Sequence, residues 1–567
     1  MSDNLYEKLS NERKELQQQG LVPEWYSTAG WQMIKSKYLY GTDRAVRGQF
    51  ERIAKTAAKH LKGTKYESVA EQKFFDMLWK GWLSPSTPVL ANTGTDRGMP
   101  VSCSGTIVED SIDGFYSNLH EVAMLTKYGF GTASDLSGIR SRGSSISVGG
   151  KANGVLPVIK EHIQAMRNVA QGTARRGAWA AYLDIEHGDF EEVANFVLTE
   201  PDDCNIGWTI RQSFVDKLEA GDEQAIARFQ KAMKVKMVTG KGYFFFIDKA
   251  NAKRPPMYVD KNMYINNSQL CNEIVLFNDK DHTYTCVLSS LNAAKYDEWK
   301  DTDAPYWATI FLDCVASEFI EKAKGIRGLE KAVRFTEKGR ALGLGLCGLH
   351  TLFMKNMIPF ESFEAHMLSQ EISAKIWEQA KAASKGMAVE LGEPEWCKGY
   401  GVRNTQLIAI APTKSTALLM GGVSEGINPD PAMTFTQMTA AGEVDRVNPV
   451  LLELMKEKGV YTKKHIQEIV DANGSVQNVS WLTPEEKQVF KTAFEINQKS
   501  IVRMASARSR YIDQWQSLNL FFAADEDPAW IAEVHREAFL DPNILGLYYI
   551  YTQAGVQASK GECEACQ

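Results

Sequence analysis

The stretch SQLCNEI, residues 268–274, governs the interpretation of this sequence, because it places Cys271 two residues before Glu273. The remaining cysteines are widely separated in sequence. This spacing is typical of neither a metal site nor a disulfide scaffold. The layout indicates redox chemistry on a buried substrate: three thiols in a pocket, a mobile dithiol that recharges two of them, and a tyrosine pair that carries an electron hole inward. Working outward from SQLCNEI, the other stretches are PVSCSG (100–105), YTCVLSSLN (284–292), LGLYYIY (545–551) and CEAC (563–566).

Size and composition narrow the class of protein. The chain has 567 residues, of which 44% are apolar. This length exceeds the usual single-domain limit of about 250–300 residues, so it predicts either several domains or one large barrel with helical additions. A net charge of −6 argues against a nucleic-acid polymer as partner. No apolar run approaches the roughly 18 residues of a membrane helix, and the polar N-terminus lacks a signal-peptide core. Nine cysteines without a secretory signal favour a reducing, cytoplasmic compartment.

Hydrophobic periodicity gives a coarse division of the chain. Residues 1–100 contain three helical patterns, and 84–100, rich in Ser, Thr, Pro and Gly, reads as loop or short strand. Two amphipathic helices are predicted near 113–128 and 155–171. Helices and short apolar strands alternate through 300–550, which is typical of an α/β architecture.

With these motifs present in order, the chain resembles the catalytic large subunit of ribonucleotide reductases, most of all class I, in which a separate small subunit generates the radical. The resemblance runs from about residue 80 to the C-terminus. It implies a ten-stranded α/β barrel with a central finger loop over 84–553, preceded by a helical region over 1–83 and followed by a flexible redox-active tail over 554–567. Family members with an ATP-binding cone have a longer N-terminal extension and a basic motif that is missing here, so we expect no cone.

In that family SQLCNEI matches the tip of the finger loop. Cys271 would then hold the transient thiyl radical that takes the ribose 3′-hydrogen, because sulfur loses and regains a hydrogen atom reversibly. Glu273 would be the general base at the 3′-hydroxyl, and a two-residue offset keeps both groups on one side of an extended segment. Gln269 stands where the family usually has Asn, and its amide would bond a ribose hydroxyl and the glutamate.

Four more cysteines resemble the family's electron donors. Cys103 and Cys286 would supply two electrons for loss of the 2′-hydroxyl as water and become a disulfide; the fold must bring them together across 183 residues. Cys563 and Cys566 would reduce that disulfide by thiol–disulfide exchange, which needs the physical access that a flexible tail provides. A thioredoxin- or glutaredoxin-like protein would in turn reduce the tail. No second CxxC or nearby histidine cluster completes a zinc site, so we expect no metal.

Two further motifs resemble the radical path and the phosphate site. Tyr548 and Tyr549 match the adjacent tyrosines that relay a radical from the small subunit to the active-site cysteine. PTKST opens at an expected helix N-terminus, which binds anions through its unpaired N–H groups. The residues that this resemblance assigns to substrate binding are Thr87, Ser102, Thr413, Lys414, Ser415 and Thr416.

Regulatory nucleotides are implied as well. Asp110 resembles the residue that orients an effector's sugar or base, and Arg140 and Ile146 resemble the first specificity loop. The second loop would couple the effector to base choice through Arg175, with Arg176 as the alternative. Deoxynucleoside triphosphate effectors and a homodimer are therefore expected, because the two amphipathic helices that flank the first loop could pair with those of a second copy.

The resemblance as a whole implies a ribonucleoside-diphosphate reductase that makes 2′-deoxyribonucleotides for DNA precursor synthesis. It implies no covalently bound cofactor, since the small subunit supplies the radical. Two alternatives remain open: the adenosylcobalamin-dependent class II of the same family, and a catalytically silent nucleotide-binding regulator.

Overall fold

The computed structural model of the chain describes residues 2–171, 175–439 and 442–553. The tail that contains Cys563 and Cys566 lies outside these residues, as does the side chain of Arg175. The strands are β1 (Leu83–Pro85), β2 (Cys103–Ile107), β3 (Gly131–Asp135), β4 (Ala170–Gln171), β5 (Arg175–Arg176), β6 (Trp179–Asp184), β7 (Asn205–Ile210), β8 (Tyr243–Phe246), β9 (Tyr284–Asn292), β10 (Leu342–Cys347), β11 (Thr434–Thr439), β12 (Gly442–Val447), β13 (Leu520–Phe522), β14 (Gly546–Leu547) and β15 (Ile550–Thr552).

Helices surround these strands, and none of the described helices is both long enough and apolar enough to cross a membrane. The α-helices are α1 (Ser2–Gln18), α2 (Thr28–Lys37), α3 (Val46–Ala58), α4 (Glu67–Trp79), α5 (Thr87–Asn92), α6 (Ile112–Lys127), α7 (Leu156–Asn168), α8 (Phe190–Thr199), α9 (Gln212–Glu219), α10 (Glu223–Thr239), α11 (Ile247–Ala252), α12 (Pro256–Asp260), α13 (Tyr296–Trp299), α14 (Ala304–Ala323), α15 (Glu330–Gly339), α16 (Leu349–Lys355), α17 (Phe363–Leu391), α18 (Lys414–Leu419), α19 (Pro449–Glu457), α20 (Lys463–Asp471), α21 (Pro484–Val489), α22 (Gln498–Arg508) and α23 (Pro528–Leu540). Short 3₁₀ helices occur at Lys59–Leu61, Ala293–Lys295, Glu395–Cys397 and Ser509–Tyr511.

The N-terminal part is helical because its apolar residues recur at helical spacing. On α3 the buried residues Val46, Phe50, Ile53 and Ala57 form one stripe. The prediction of loop or short strand for 84–100 is wrong over 87–92, where α5 forms, whereas Ser84 and Pro85 belong to the short strand β1. A proline in the first turn accounts for this helix, because its fixed φ suits a helix start and its missing N–H is not needed there.

The central sheet closes on itself through ten segments, which confirms the predicted barrel. One half consists of five parallel strands: β2, β3, β6, β7 and β8. The other half is also parallel and consists of β9, β10, residues 408–410, residues 515–522 and residues 546–552. The halves meet at two antiparallel seams, β2 against β9 and β8 against β14. β1 pairs antiparallel with the C-terminal part of β9, on the same edge where β2 pairs with the N-terminal part of β9.

The chain between α12 and β9 enters the barrel as a finger loop. At its base Ile265 and Phe277 form an antiparallel bridge. At its tip the carbonyl oxygen of Glu273 accepts a hydrogen bond from the N–H of Trp515, and that of Cys271 accepts one from Ser517 Oγ at 2.7 Å. The segment 515–522 therefore fixes the tip of the loop inside the barrel.

Candidate active site

One cleft in the barrel is lined by seven of the residues that the sequence predicts to be functional. It lies beside the tip of the finger loop. Residues from four parts of the chain line it: the β1–α5 region, the start of β2, the finger loop and β9, and the segment before α18. They are Ser84, Ser86, Ser102, Cys103, Gln269, Cys271, Glu273, Leu288, Ser289, Ser290, Ala411, Thr413 and Thr416.

The tip of the finger loop is a turn and not the extended segment expected from the sequence. The N–H of Asn272 donates to the carbonyl oxygen of Gln269 at 3.1 Å, and Asn272 has a φ of 64°. Asparagine tolerates this left-handed conformation better than most residues. The turn brings Gln269 above Glu273, so that Nε2 of Gln269 donates to Oε2 of Glu273 at 2.7 Å. Cys271, Gln269 and Glu273 still line the same cleft.

Glu273 has the electrostatics of a general base that works near neutrality. Its burial raises the pKa to about 7, while hydrogen bonds from its own backbone, Gln269 and Ser517 act in the opposite direction. Ser517 Oγ lies 3.4 Å from Oε2. The other oxygen, Oε1, is buried and has no hydrogen-bond partner in the described structure. A substrate hydroxyl in the cleft can therefore be the partner of Oε1.

Cys103 and Cys286 are direct neighbours across the β2–β9 seam. Residues paired in an antiparallel ladder have Cα atoms about 4.5–5.5 Å apart, within the range that a disulfide spans. Both are thiols in this structure, and burial raises the pKa of Cys286, so it keeps its proton at neutral pH. Tyr284, two residues before Cys286, packs over Gly105, where a Cβ would lie 1.9 Å from its ring.

Three of the predicted phosphate contacts, Ser102, Thr413 and Thr416, line the cleft. Thr413 is the N-cap of α18 and adopts a φ of 58°. Its Oγ1 accepts a hydrogen bond from the N–H of Gly426 and does not cap the helix. Thr416, one turn into α18, lines the cleft, whereas Lys414 is exposed and Ser415 half-buried at the helix start.

The start of β2 and the β1–α5 connection contribute serines to the cleft. Ser102 Oγ donates to Ser86 Oγ at 2.9 Å, and both line the cleft. Thr87, in the first turn of α5, is not among the lining residues, but its Oγ1 is buried and has no hydrogen-bond partner in the described structure.

Tyr548 and Tyr549 are buried next to the second seam, with ring centroids 4.1 Å apart. Their strand is bonded to the segment that holds the finger loop, since the N–H of Tyr548 donates to the carbonyl oxygen of Leu518. Tyr243 on β8 contacts both rings, at 4.9 and 5.5 Å, and its hydroxyl lies 3.4 Å from that of Tyr549. One strand thus separates the tyrosine pair from the tip that carries Cys271.

The expected effector residues gather beside α6. Arg140 Nε donates to Asp110 Oδ2 at 2.7 Å, although thirty residues separate them in sequence. The loop that follows holds the half-buried Ile146, and its arginine Arg142 pairs with Glu192. The backbone of 175–176 forms a short hairpin strand with β4.

Sequence reasoning missed several residues of this region. Ser289 and Ser290 line the cleft from β9, and Ser84 from β1. Two serines inside a fully buried nine-residue strand are a signal that could have found the first two, because buried hydroxyls need partners. Tyr243 carries no such signal, since YFFF reads as apolar packing.

Family models match nearly the whole described chain. The model described as "Ribonucleotide reductase, barrel domain" matches residues 101–226, 216–399 and 394–550, and "Ribonucleotide reductase, all-alpha domain" matches 24–98. A Frog virus 3 protein assigned as a ribonucleoside-diphosphate reductase large subunit is 34% identical over 90% of this chain and 94% of its own. The ribonucleoside-diphosphate reductase large subunit of Caenorhabditis elegans is 27% identical over 94% of this chain and 77% of its own.

A solved structure is similar over almost its full length. The class Id ribonucleotide reductase alpha subunit of Actinobacillus ureae has a TM-score of 0.86 and 36% identity, covering 95% of this chain and 99% of that one. The fold, the arrangement of the cleft and the sequence matches therefore agree.

Proposed function

This chain belongs to the ribonucleotide reductase large-subunit family, and we propose that it reduces ribonucleoside diphosphates to 2′-deoxyribonucleotides with a radical that a small subunit supplies. The observation that carries the proposal is the shared cleft: Cys271, Glu273 and Cys103 line it together, and the ladder register places Cys286 beside Cys103. Of these four residues only Cys271 and Glu273 belong to the same short motif, so the fold brings the others to them.

The chemistry follows from the positions of these groups. The Cys271 thiyl takes the 3′-hydrogen atom, and Glu273 accepts the 3′-hydroxyl proton through Oε1. Loss of the 2′-hydroxyl as water consumes two electrons and two protons, which the thiols of Cys103 and Cys286 provide as they form a disulfide. The 3′-hydrogen then returns from Cys271, so the thiyl is regenerated, and one ribonucleotide plus one dithiol gives one deoxyribonucleotide, one disulfide and one water.

The class I alternative is favoured over a cobalamin-dependent enzyme by the tyrosine pair. A buried pair of phenols at 4.1 Å, one strand from the tip of the finger loop, suits a radical that arrives from outside. A silent regulator would have no need of three reduced thiols around a glutamate with a pKa of about 7. We further propose a cytoplasmic location, a thioredoxin- or glutaredoxin-like reductant and deoxynucleoside triphosphate effectors.

The test replaces the radical cysteine. Cys271→Ser should bind a ribonucleoside diphosphate normally and give no product, because a serine O–H bond is too strong for reversible hydrogen-atom transfer. Cys204→Ser is the matched control, since Cys204 is equally buried but lies at the start of β7, outside the cleft. Deoxynucleotide formation would be measured with the small subunit present. More than a trace of product from Cys271→Ser would refute the assignment.

A further inference from the structure

A buried lysine binds the main chain of the tyrosine pair. Lys236 on α10 is fully buried, and its ammonium donates to the carbonyl oxygens of Tyr548 and, at 3.4 Å, Gly242. The first carbonyl belongs to the peptide that joins Tyr548 to Tyr549, and the second to the peptide that precedes Tyr243. One side chain therefore ties together the two strands on which all three contacting rings lie.

The burial of Lys236 has an unfavourable free energy, which an apolar side chain in the same place would not have. Burying an ammonium without a counter-charge is unfavourable, and no carboxylate among the described residues pairs with Lys236. The ring of Phe244 also lies near the ammonium, with its centroid 5.4 Å from Nζ. Gly242 has a φ of 82°, a conformation that glycine adopts without strain, and this turn points its carbonyl at the lysine.

We propose that Lys236 is a positioning residue for radical transfer, which holds the Tyr548–Tyr549 peptide so that the phenols keep their mutual contact. The inference rests on the proposed function. In each transfer one hydrogen atom, an electron with its proton, moves from the O–H of the tyrosine being oxidised to the phenoxyl oxygen of the tyrosine that already carries the radical. The radical delivered by the small subunit is the oxidant, and Lys236 itself exchanges neither electron nor proton.

The charge of Lys236 changes close to neutral pH. Burial lowers its pKa to about 7, and the charged form is the stronger hydrogen-bond donor. His535 on α23, which also faces it, stays neutral because burial lowers its pKa to about 4. The other titratable groups on elements packed against α10 are the phenols of the tyrosine cluster and side chains with partners on the surface. They are Tyr243, Tyr548, Tyr549, Tyr551, Glu191, Glu192, Asp216, Lys217, Glu219, Glu533, Arg536 and Glu537.

Lys249 provides a matched control. It is another buried lysine, its pKa is also lowered to about 7 by burial, and its ammonium likewise bonds main-chain carbonyl oxygens, at the end of α23. None of these carbonyls belongs to the tyrosine cluster. Lys236→Met and Lys249→Met each remove a buried ammonium that binds main-chain carbonyl oxygens. Only the ammonium of Lys236 binds a carbonyl of the proposed relay.

The experiment compares both variants with wild type in the complex with the small subunit. Lys236→Met should lower kcat by roughly tenfold to a hundredfold with KM unchanged, since misplacement by about 1 Å can cost about a hundredfold. The ratio of wild-type to Lys236→Met kcat should shrink as pH rises from about 6 to about 9, because the wild-type lysine loses its charge above about 7. Lys249→Met should keep a constant ratio near one.

The outcomes separate the two proposals. If wild type forms deoxynucleotide and Lys236→Met matches it in kcat and pH profile, the positioning role is refuted and the reductase function stands. If wild type itself forms none, the proposed function fails and the inference falls with it. Should Lys236→Met not fold, Lys236→Gln carries the test: its amide can still donate to Tyr548 but does not titrate, so it should recover most of kcat near pH 9. The ratio of Lys249→Met to Lys236→Gln kcat should fall as pH rises from about 6 to about 9, because only the former keeps the titrating Lys236, and a ratio that stays constant would refute the positioning role.

Discussion

The ionisation of Glu273 should set how the reaction depends on pH, and Gln269 should control it. Replacing Gln269 by Met keeps the length of the side chain but removes the 2.7 Å hydrogen bond to Oε2 of the carboxylate. A hydrogen bond to a charged group contributes about 1.5–3 kcal/mol. At 1.36 kcal/mol per pKa unit, its loss should raise the pKa of Glu273 from about 7 by roughly one to two units.

The sign of the effect follows from the base's role. Glu273 must be ionised to accept the proton, so activity is present above its pKa and lost as pH falls through it. The ratio of Gln269→Met to wild-type kcat/KM should be roughly 0.01–0.1 near pH 6 and approach one near pH 9.5 or above. The ratio is the useful quantity, because any titration shared by both proteins, including that of Lys236, cancels.

Initial rates at low substrate concentration would give kcat/KM, which reports ionisations of the free enzyme. Tyr182→Phe is the control, because the Tyr182 hydroxyl donates to the main-chain carbonyl of Gln269 at 2.7 Å and leaves the amide in place. Its ratio to wild type should be independent of pH. A Gln269→Met ratio that stays flat across this range would show that the amide does not tune Glu273, whatever its effect on the absolute rate.

Three further outcomes are expected. Cys563→Ser or Cys566→Ser should permit a single turnover of pre-reduced enzyme and block multiple turnover with a protein reductant, while a small dithiol partly restores it; failure of the first turnover would contradict a shuttle role. Tyr548→Phe or Tyr549→Phe keeps the ring contact but removes the O–H, so folding and substrate binding should persist while product formation collapses, and substantial activity in both would favour the cobalamin-dependent class. Deoxynucleoside triphosphates should favour a dimer through α6, where Ile112 is 70% exposed, and Ile112→Asp should weaken it; light scattering that shows an effector-independent monomer would rule this out.

The reactive residues of the cleft were predictable from the sequence because each motif is local, whereas the lining serines Ser84, Ser289 and Ser290 were missed. SQLCNEI, PVSCSG, YTCVLSSLN and PTKST each place their reactive atoms within a few residues, and the family resemblance gave the barrel that the structure confirms. The helices near 113–128 and 155–171 were likewise predictable, since periodicity is a property of neighbouring residues. The turn at Asn272 was missed, because the spacing of Cys271 and Glu273 alone does not distinguish a turn from an extended segment.

The sequence by itself determined which chemical groups the chain carries: the thiols, the glutamate and the paired phenols. Only the tertiary structure decided which of them meet. The contact of Cys103 with Cys286 depends on the register of the β2–β9 seam, and that of Tyr243 with Tyr549 on the β8–β14 seam. Lys236 shows the difference most clearly, since a lysine on a helix that also carries Arg228, Lys231 and Lys234 is expected from sequence to be solvated. Its burial results from packing between elements distant in sequence, which no local pattern encodes, because the free energy of a buried charge depends on what surrounds it in space.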